Sequence, residues 1–318
     1  MTYSSKLKQM EDTRILNFTL NDNSKFKTYL ESLSKINDSK PKTKTYFVPL
    51  SKINEDMKIT IECRLKNDIP QIIISSLDQN KTNMTYLIFG SHDFTNFYIK
   101  NPLYTLKLQF MGINQMSKLL NENDEVTFYV TENEKNILYV DIKNAYCNVK
   151  YTIPIELSDA IFLPKLDFKS DAVITIDTFV WNKLCEIMRR FSENVNIKCT
   201  NEYIEIKPEI MHSFTDNVNI RCTNGYVETK PEITESVGMK FYASENTKIV
   251  LQNKNNTDII TCTIEIDKII AFSNMEKYNR NVRIYMSKDF PFALKYDLDK
   301  QTTITNCILS SYYYPNDI

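Results

Sequence analysis

Apolar and polar residues alternate with a period of two along most of this chain. The alternation occurs in KITIECRL, PQIIISSL, EVTFYV, NILYVDI, NVNIKC, KIVLQ, IITCTIEI, NVRIYM and FALKYDL, which are rich in β-branched and aromatic residues. Successive side chains of a strand point to opposite faces of a sheet. The pattern therefore predicts half-buried antiparallel strands.

Helical spacing is confined to four short segments, at residues 26–33, 116–120, 180–191 and 266–270. Ser24 and Asp177 are candidate N-caps of the first and third segments. The order helix, strands, short helix, strands therefore occurs twice, once on each side of about residue 170. We expect an α+β protein with two similar halves, each with antiparallel sheets backed by two short helices.

The predicted organisation is a first domain, a connector and a second domain, at residues 11–150, 151–171 and 172–318. Pro154 and Pro164 discourage regular structure in the connector, although the segment 161–163 is conspicuously apolar. The connector is therefore expected to carry an apolar patch.

The second half contains an internal duplication. Residues 191–213 and 214–236 are identical at 15 of 23 positions. Each copy has the pattern strand, turn, strand, and two copies are too few for a solenoid, which needs at least three. The duplication is either a tolerated insertion at the surface or sheet edge, or a new binding surface.

Composition argues against enzyme chemistry. Only four glycines occur, all isolated, so no glycine-rich loop is available for a phosphate. Two histidines lie outside any triad or metal pattern, and seven scattered cysteines indicate buried reduced thiols. The sequence predicts no catalytic residues, no cofactor and no metal site. With 39 basic against 40 acidic side chains, DNA contact would have to come from a local basic patch.

No segment approaches the roughly 20 apolar residues of a membrane helix, and the N-terminal residues lack the apolar centre of a signal peptide. We therefore expect an intracellular protein with no membrane partner. Heavy use of Asn, Ile and Lys with few glycines is typical of AT-rich genomes and suits a large DNA virus or a protist.

Three motifs resemble the proliferating cell nuclear antigen family of DNA sliding clamps. MSKDFPFALKYDL at 286–298 and YYYP at 312–315 are similar to the C-terminal strands of that family, and FMGINQMSKLL at 110–120 is similar to one of its short helices. The resemblance extends over about residues 14–318, apart from residues 37–60 and one copy of the duplication.

The resemblance implies the DNA-clamp fold and a homotrimeric ring that encircles duplex DNA without sequence preference. Such a ring is a non-enzymatic processivity factor in DNA replication and repair. Its partners would be a clamp loader, a DNA polymerase and other proteins that carry clamp-binding peptides. The location would be the nucleus or, for a viral protein, a cytoplasmic replication site. By family position, the strand edges that join subunits would lie at about residues 145–155 and 237–243.

Two sets of functional residues follow from the resemblance. Lysines and arginines on helix faces would meet DNA phosphates, and the expected set is Lys25, Lys27, Lys118, Lys183, Arg189, Arg190, Lys268, Lys277 and Arg280. Asn121, Glu186, Asp267 and Asn274 stand where the family usually has a basic residue. The partner-peptide groove would be formed by Leu77, Ile161, Phe162, Leu163, Leu166, Pro291, Tyr312, Tyr313, Tyr314 and Pro315.

Three alternatives remain open from the sequence. The chain could be a viral processivity factor that acts as a monomer or dimer, or a subunit of a checkpoint-type heterotrimeric clamp. A carboxylate-dependent nuclease would use Glu122, Asp124 and Glu125, which are more simply a solvated turn.

Overall fold

The computed structural model describes residues 13–38, 57–78, 82–121, 123–144, 147–158, 170–209, 219–223, 226–230, 238–244, 247–251, 259–287 and 292–308. Within these residues most of the chain is strand. The strands of the first half are β1 (Arg14–Leu20), β2 (Lys58–Lys66), β3 (Ile69–Leu77), β4 (Asn83–Phe89), β5 (Phe94–Ile99), β6 (Leu103–Gln109), β7 (Glu125–Thr131), β8 (Ile137–Lys143) and β9 (Asn148–Ser158).

The strands of the second half include both copies of the duplication. They are β10 (Ala172–Asp177), β11 (Asn194–Cys199), β12 (Tyr203–Pro208), β13 (Asn219–Thr223), β14 (Tyr226–Lys230), β15 (Gly238–Tyr242), β16 (Lys248–Leu251), β17 (Ile260–Glu265), β18 (Asn281–Met286), β19 (Phe292–Asp297) and β20 (Thr303–Ile308). Every segment predicted as a strand from its alternation lies in one of these strands.

Four α-helices lie where the 3.6-residue pattern predicted them: α1 (Ser24–Asp38), α2 (Phe110–Ser117), α3 (Thr178–Met188) and α4 (Ile266–Ile270). The Asp177 cap is confirmed, because its carboxylate accepts hydrogen bonds from the amides of Phe179 and Val180. The Ser24 cap is wrong. Ser24 is the first helical residue, and its amide donates to the Asp22 carboxylate at 2.9 Å. None of these helices has the length and apolarity that a membrane crossing requires.

The chain divides into two compact units. The first unit contains residues 1–79, 85–165 and 298–304, and the second contains residues 80–84, 166–297 and 305–318. In the first unit the strand order is β3-β2-β6-β9-β8-β7-β1-β5, and all neighbouring pairs are antiparallel.

The helices of the first unit bury their apolar faces on this sheet. Phe26 of α1 meets Phe128 of β7 edge to face at a centroid distance of 5.8 Å, and Phe18 of β1 stacks on the same ring at 4.9 Å. Tyr29 is fully buried, and its hydroxyl is 2.8 Å from that of Thr85. Truncation of such a buried aromatic side chain to alanine typically costs about 3–5 kcal/mol.

The second unit contains two sheets. One has the order β16-β10-β18-β19-β20, and the other has the order β14-β13-β15-β12-β11-β17. Trp181 of α3 is fully buried, and its ring lies 6.5 Å from that of Phe292 on β19. Most described pairs are antiparallel, whereas β13 pairs with β15 in parallel. Both units therefore have antiparallel sheets with two short helices, as the sequence predicted.

Regular structure continues through the first part of the expected connector. Strand β9 pairs with β8 through Asn148–Pro154 and with β6 through Ile155–Ser158. Pro154 thus stands where the strand changes partner, so its missing N–H interrupts neither ladder. The expectation that Pro154 prevents regular structure is wrong. Residues 159–169 of the connector lie outside the described residues.

The cysteines bear out only part of the expectation of buried thiols. Cys63, Cys185, Cys199 and Cys307 are buried, and burial raises the pKa of the Cys199 thiol to about 11. Cys262 is partly exposed at its surface, and Cys147 is exposed beside the start of β9. Within the described part of the chain, all cysteines are free of disulfides.

Candidate DNA-binding surface and strand edges

Two of the expected DNA-binding residues of the first unit lie together at the end of α2. The ammonium of Lys27 on α1 donates to the carbonyl oxygen of Leu120 at 2.9 Å. Lys118 is the C-cap of α2 and is exposed. Within the described residues no carboxylate pairs with Lys118. A cation in this position is free to approach a phosphate.

Lys25 has a different environment from its neighbour Lys27. Its Nζ lies 2.6 Å from Oδ1 of Asp93 and 2.5 Å from Oδ2 of Asp299, and only 12% of its side chain is exposed. Burial lowers the pKa of Lys25, but the hydrogen bonds to and charges of Asp299 and Asp93 outweigh this effect and raise it. The charge of Lys25 is therefore consumed within the unit.

The residues around Lys25 form a connected polar cluster. Asp93, whose side chain is 1% exposed, accepts from the Gly90 amide at 2.9 Å and from the Thr302 hydroxyl. Asp299 accepts from the amides of Gln301 and Thr302, at 2.9 and 2.8 Å. Burial raises the pKa of the Asp299 carboxyl, but Lys25, these two amides and His92 lower it further, to well below its ordinary value.

The same cluster contains a set of metal-ligand atoms. One ligand atom each from His92, Asp93 and Asp299 lie within 4.8 Å of one another. The ammonium of Lys25, however, already lies between the two carboxylates. A fixed cation in that position repels a metal ion, so the cluster is better explained as an internal ion-pair network.

In the second unit, basic residues of α3 are balanced by neighbouring carboxylates. Lys183 pairs with Glu186 at 2.9 Å, and Arg189 pairs with Asp267 at 2.7 Å. Glu186 and Asp267 are the two positions where the clamp family usually has a basic residue. All four side chains are at least about one third exposed, so these pairs contribute little stability and leave the cations accessible.

An exposed stripe of basic and aromatic side chains follows α3. Phe179 and Phe191 are 52% and 46% exposed, and Nζ of Lys183 is 5.8 Å from the centroid of the Phe179 ring. Arg190 is exposed and has no carboxylate partner among the described residues. The spacing of 179, 183 and 190 places these side chains on one face of the helix and its continuation.

The remaining basic residues lie on α4 and after it. Lys268 is only 11% exposed, pairs with Glu265 at 3.1 Å and donates to the Thr82 hydroxyl at 2.6 Å. Arg280 is 80% exposed and lies 3.4 Å from the Asp177 carboxylate. Lys277 is exposed, with its Nζ 4.9 Å from the ring centroid of Tyr278. Lys268 is thus a structural cation, whereas Lys277 and Arg280 face solvent.

Most of the expected peptide groove lies outside the described residues. Leu77 is the last residue of β3 and is partly exposed. The other groove residues are Ile161, Phe162, Leu163, Leu166, Pro291, Tyr312, Tyr313, Tyr314 and Pro315, and none of them belongs to the described part of the chain.

The carboxylates considered for a nuclease take part in local structure. Asp124 is buried and accepts from the Asn121 amide at 2.9 Å, and Glu125 pairs with Lys143 at 3.2 Å. Glu122 lies outside the described residues. Asp124 therefore fixes the turn before β7, as the simpler interpretation of the sequence expected.

Strand β9 presents an open edge in the first unit. Through Asn148–Pro154 it pairs only with β8 among the described residues, and Val149 is 37% exposed. Lys150 covers the Tyr139 ring of β8 at 4.4 Å. A row of unpaired backbone groups of this length is a template for pairing with another strand.

The comparisons with known proteins identify the fold. The chain is similar to a crystal structure of the proliferating cellular nuclear antigen from Entamoeba histolytica, with a TM-score of 0.65 and 13% sequence identity. The match covers 94% of this chain and 100% of that protein. No protein-family model matches the sequence, and a search of curated proteins finds no match. The predicted DNA-clamp fold is confirmed.

Proposed function

We propose that this chain is a subunit of a DNA sliding clamp, a non-enzymatic ring that holds a DNA polymerase on duplex DNA during replication and repair. The observation that carries the proposal is the clamp fold itself, which extends over 94% of the chain and the whole of the matched antigen. It would act in the nucleus or, in a virus, at a cytoplasmic replication site.

Basic helix faces would supply the DNA contact. Lys118, Arg190 and Lys277 are exposed cations without a carboxylate partner in the described residues. Lys27, Lys183, Arg189 and Arg280 would add charge beside them, while Lys25 and Lys268 would hold the helices in place. Cations that meet phosphates bind every sequence with similar affinity, which is what sliding requires.

Strand edges would close the ring. The open edge of β9 in one copy would pair with the β15 edge of the next, and three such contacts would form a homotrimer. Head-to-tail pairing that closes removes edges which otherwise promote aggregation. Partner peptides from the polymerase and other proteins would bind in the groove beside Leu77, and a clamp loader would open the ring.

The solution mass tests this proposal first. Light scattering over a range of concentrations should reveal a trimer of three times 37.4 kDa, about 112 kDa. A mass that stays at 37.4 kDa at every concentration would contradict the homotrimer. That result would favour a processivity factor acting as a monomer or a subunit of a heterotrimeric clamp, and a dimer would indicate a dimeric processivity factor.

A further inference from the structure

The second copy of the duplication folds into the same hairpin as the first. In the first copy Asn196 lies opposite Lys207, and in the second Asn219 lies opposite Lys230. Both positions are shifted by 23 residues, which is the length of the repeat. The second hairpin therefore reproduces the register of the first without sharing its position in the sheet.

The second hairpin lies against the strand that the proposed ring needs as an edge. On one side β15 pairs with β12, where Met239 lies opposite Ile206. On the other side Met239 lies opposite Ile220 of β13, and Gly238 lies opposite Asn219. The start of β15 thus has a strand on both sides, and the hairpin occupies the side that would otherwise be open.

This contact is short. It contains two residue pairs and is parallel, whereas β12 and β15 share four antiparallel pairs. Parallel pairing is slightly less stable per residue, so the hairpin can be displaced more easily than the other strands of the sheet. The rest of β15 extends past it, and Tyr242 at the far end is 62% exposed. A partner strand therefore has a place to begin pairing before the hairpin leaves.

The sequence of the second copy differs from the first where the first copy forms core. Ile206 is 1% exposed, and the equivalent position of the second copy is Thr229. A hairpin that adds to a sheet edge has no comparable core to fill, so a polar residue is tolerated there. Removal of residues 214–236 would still leave a connection of nine residues, 207–213 and 237–238, between the paired positions of β12 and β15.

We propose that the hairpin β13–β14 is a displaceable guard on the β15 edge, which a second copy of this chain must remove in order to pair there. The proposal rests on the proposed function, because it concerns the edge through which the ring would close. Each association step exchanges two intramolecular pairs for a longer intermolecular ladder. The guard therefore weakens self-association and protects the lone subunit from unspecific edge pairing.

Three chains test the guard by sedimentation equilibrium over a range of concentrations. They are the full chain, a chain that lacks residues 214–236, and a chain in which a Gly-Ser segment of 23 residues replaces them. The replacement keeps the length of the connection and removes the strands, so it separates pairing from bulk. We expect both altered chains to associate at concentrations about tenfold lower than the full chain, and circular dichroism checks that all three are folded.

The outcomes distinguish the guard from the ring. If the full chain forms trimers and neither altered chain associates more tightly, the guard is refuted and the ring stands. Tighter association of the deletion alone would mean that bulk rather than strand pairing is responsible, which also refutes the guard. If all three chains remain monomeric at every concentration, both the ring and the guard are refuted.

Discussion

The ammonium of Lys25 lies 2.6 Å from the carboxylate of Asp93, although the two residues are 68 positions apart in the sequence. The Asp93 side chain is 1% exposed and that of Lys25 is 12% exposed. Removal of one partner from a buried ion pair leaves an uncompensated charge. This arrangement distinguishes Lys25 from the other lysines on the helix faces.

Replacement of Lys25 should therefore destabilise the first unit. We expect Lys25→Met to lower the free energy of unfolding by about 3–5 kcal/mol, because Asp93 and Asp299 lose their common cation. Urea denaturation measures the effect. Lys27→Met is the matched control, since Lys27 makes one hydrogen bond to a carbonyl and its loss should cost about 1 kcal/mol. Equal losses in the two variants would contradict the role of Lys25.

The same cluster should make stability depend on pH through His92. The hydrogen bond with Gln301 raises the pKa of His92; burial opposes this, and the hydrogen bond to Asp299 and the charges of Asp93 and Asp299 reinforce it. A group with a raised folded pKa contributes its full stabilisation below the unfolded pKa, near 6.5, and loses it as pH rises through the folded pKa.

Stability should accordingly fall as pH rises above 6.5, and His92→Gln should weaken this dependence. Because nearly half of the His92 side chain is exposed, the effect is expected to be small. Thermal unfolding of both proteins at a series of pH values measures it. A His92→Gln protein with an unchanged pH profile between 6 and 8 would show that His92 does not contribute.

Gly90 should be intolerant of a side chain. A Cβ atom there would overlap the Cβ atom of Gln301 and approach its Oε1 to 2.7 Å. Gly90→Ala should destabilise the protein by about 1–3 kcal/mol, and Gln301→Gly in the same chain should recover part of the loss. Gly112→Ala is the control, because its Cβ meets only Ile153 at 3.3 Å and alanine favours the helix. Differential scanning calorimetry compares the variants, and a larger loss for Gly112→Ala would contradict the packing.

Local patterns predicted the elements but not the long-range contacts. The spacing of Val180, Leu184 and Met188 after Asp177 specifies α3 and its cap, since these interactions are made within a few residues of one another. Lys25 and Asp299 are 274 residues apart, and nothing in the local pattern pairs them. Pro154 follows the same logic, because its tolerance depends on the neighbouring strands and not on the adjacent sequence.

The duplication illustrates the same limit. Its two hairpins were predicted from the repeated pattern of strand, turn and strand, and the observed register agrees. The place of the second hairpin beside β15 depends on which strand edge is open, which sequence periodicity does not specify.

The exposed cations should dominate DNA binding. We expect Lys118→Glu combined with Arg190→Glu to weaken binding to duplex DNA at least about tenfold and to reduce the slope of log affinity against log salt by about 2. Fluorescence anisotropy at several salt concentrations measures both quantities. Lys66→Glu with Lys248→Glu is the matched control, because both lysines are exposed on strands and the change in net charge is the same. Equal effects of the two double variants would contradict a specific basic surface.

Charges placed on the two strand edges should prevent the proposed ring from closing. Val149 of β9 and Tyr242 of β15 are 37% and 62% exposed, so lysines there should leave the fold intact while opposing strand pairing. We expect Val149→Lys combined with Tyr242→Lys to shift a trimer towards monomer in light scattering. Leu65→Lys with Ile69→Lys is the control, because these residues beside the β2–β3 turn are similarly exposed, at 41% and 58%, and lie outside both edges. If the control pair dissociated the trimer and the edge pair did not, the subunits would meet through another surface.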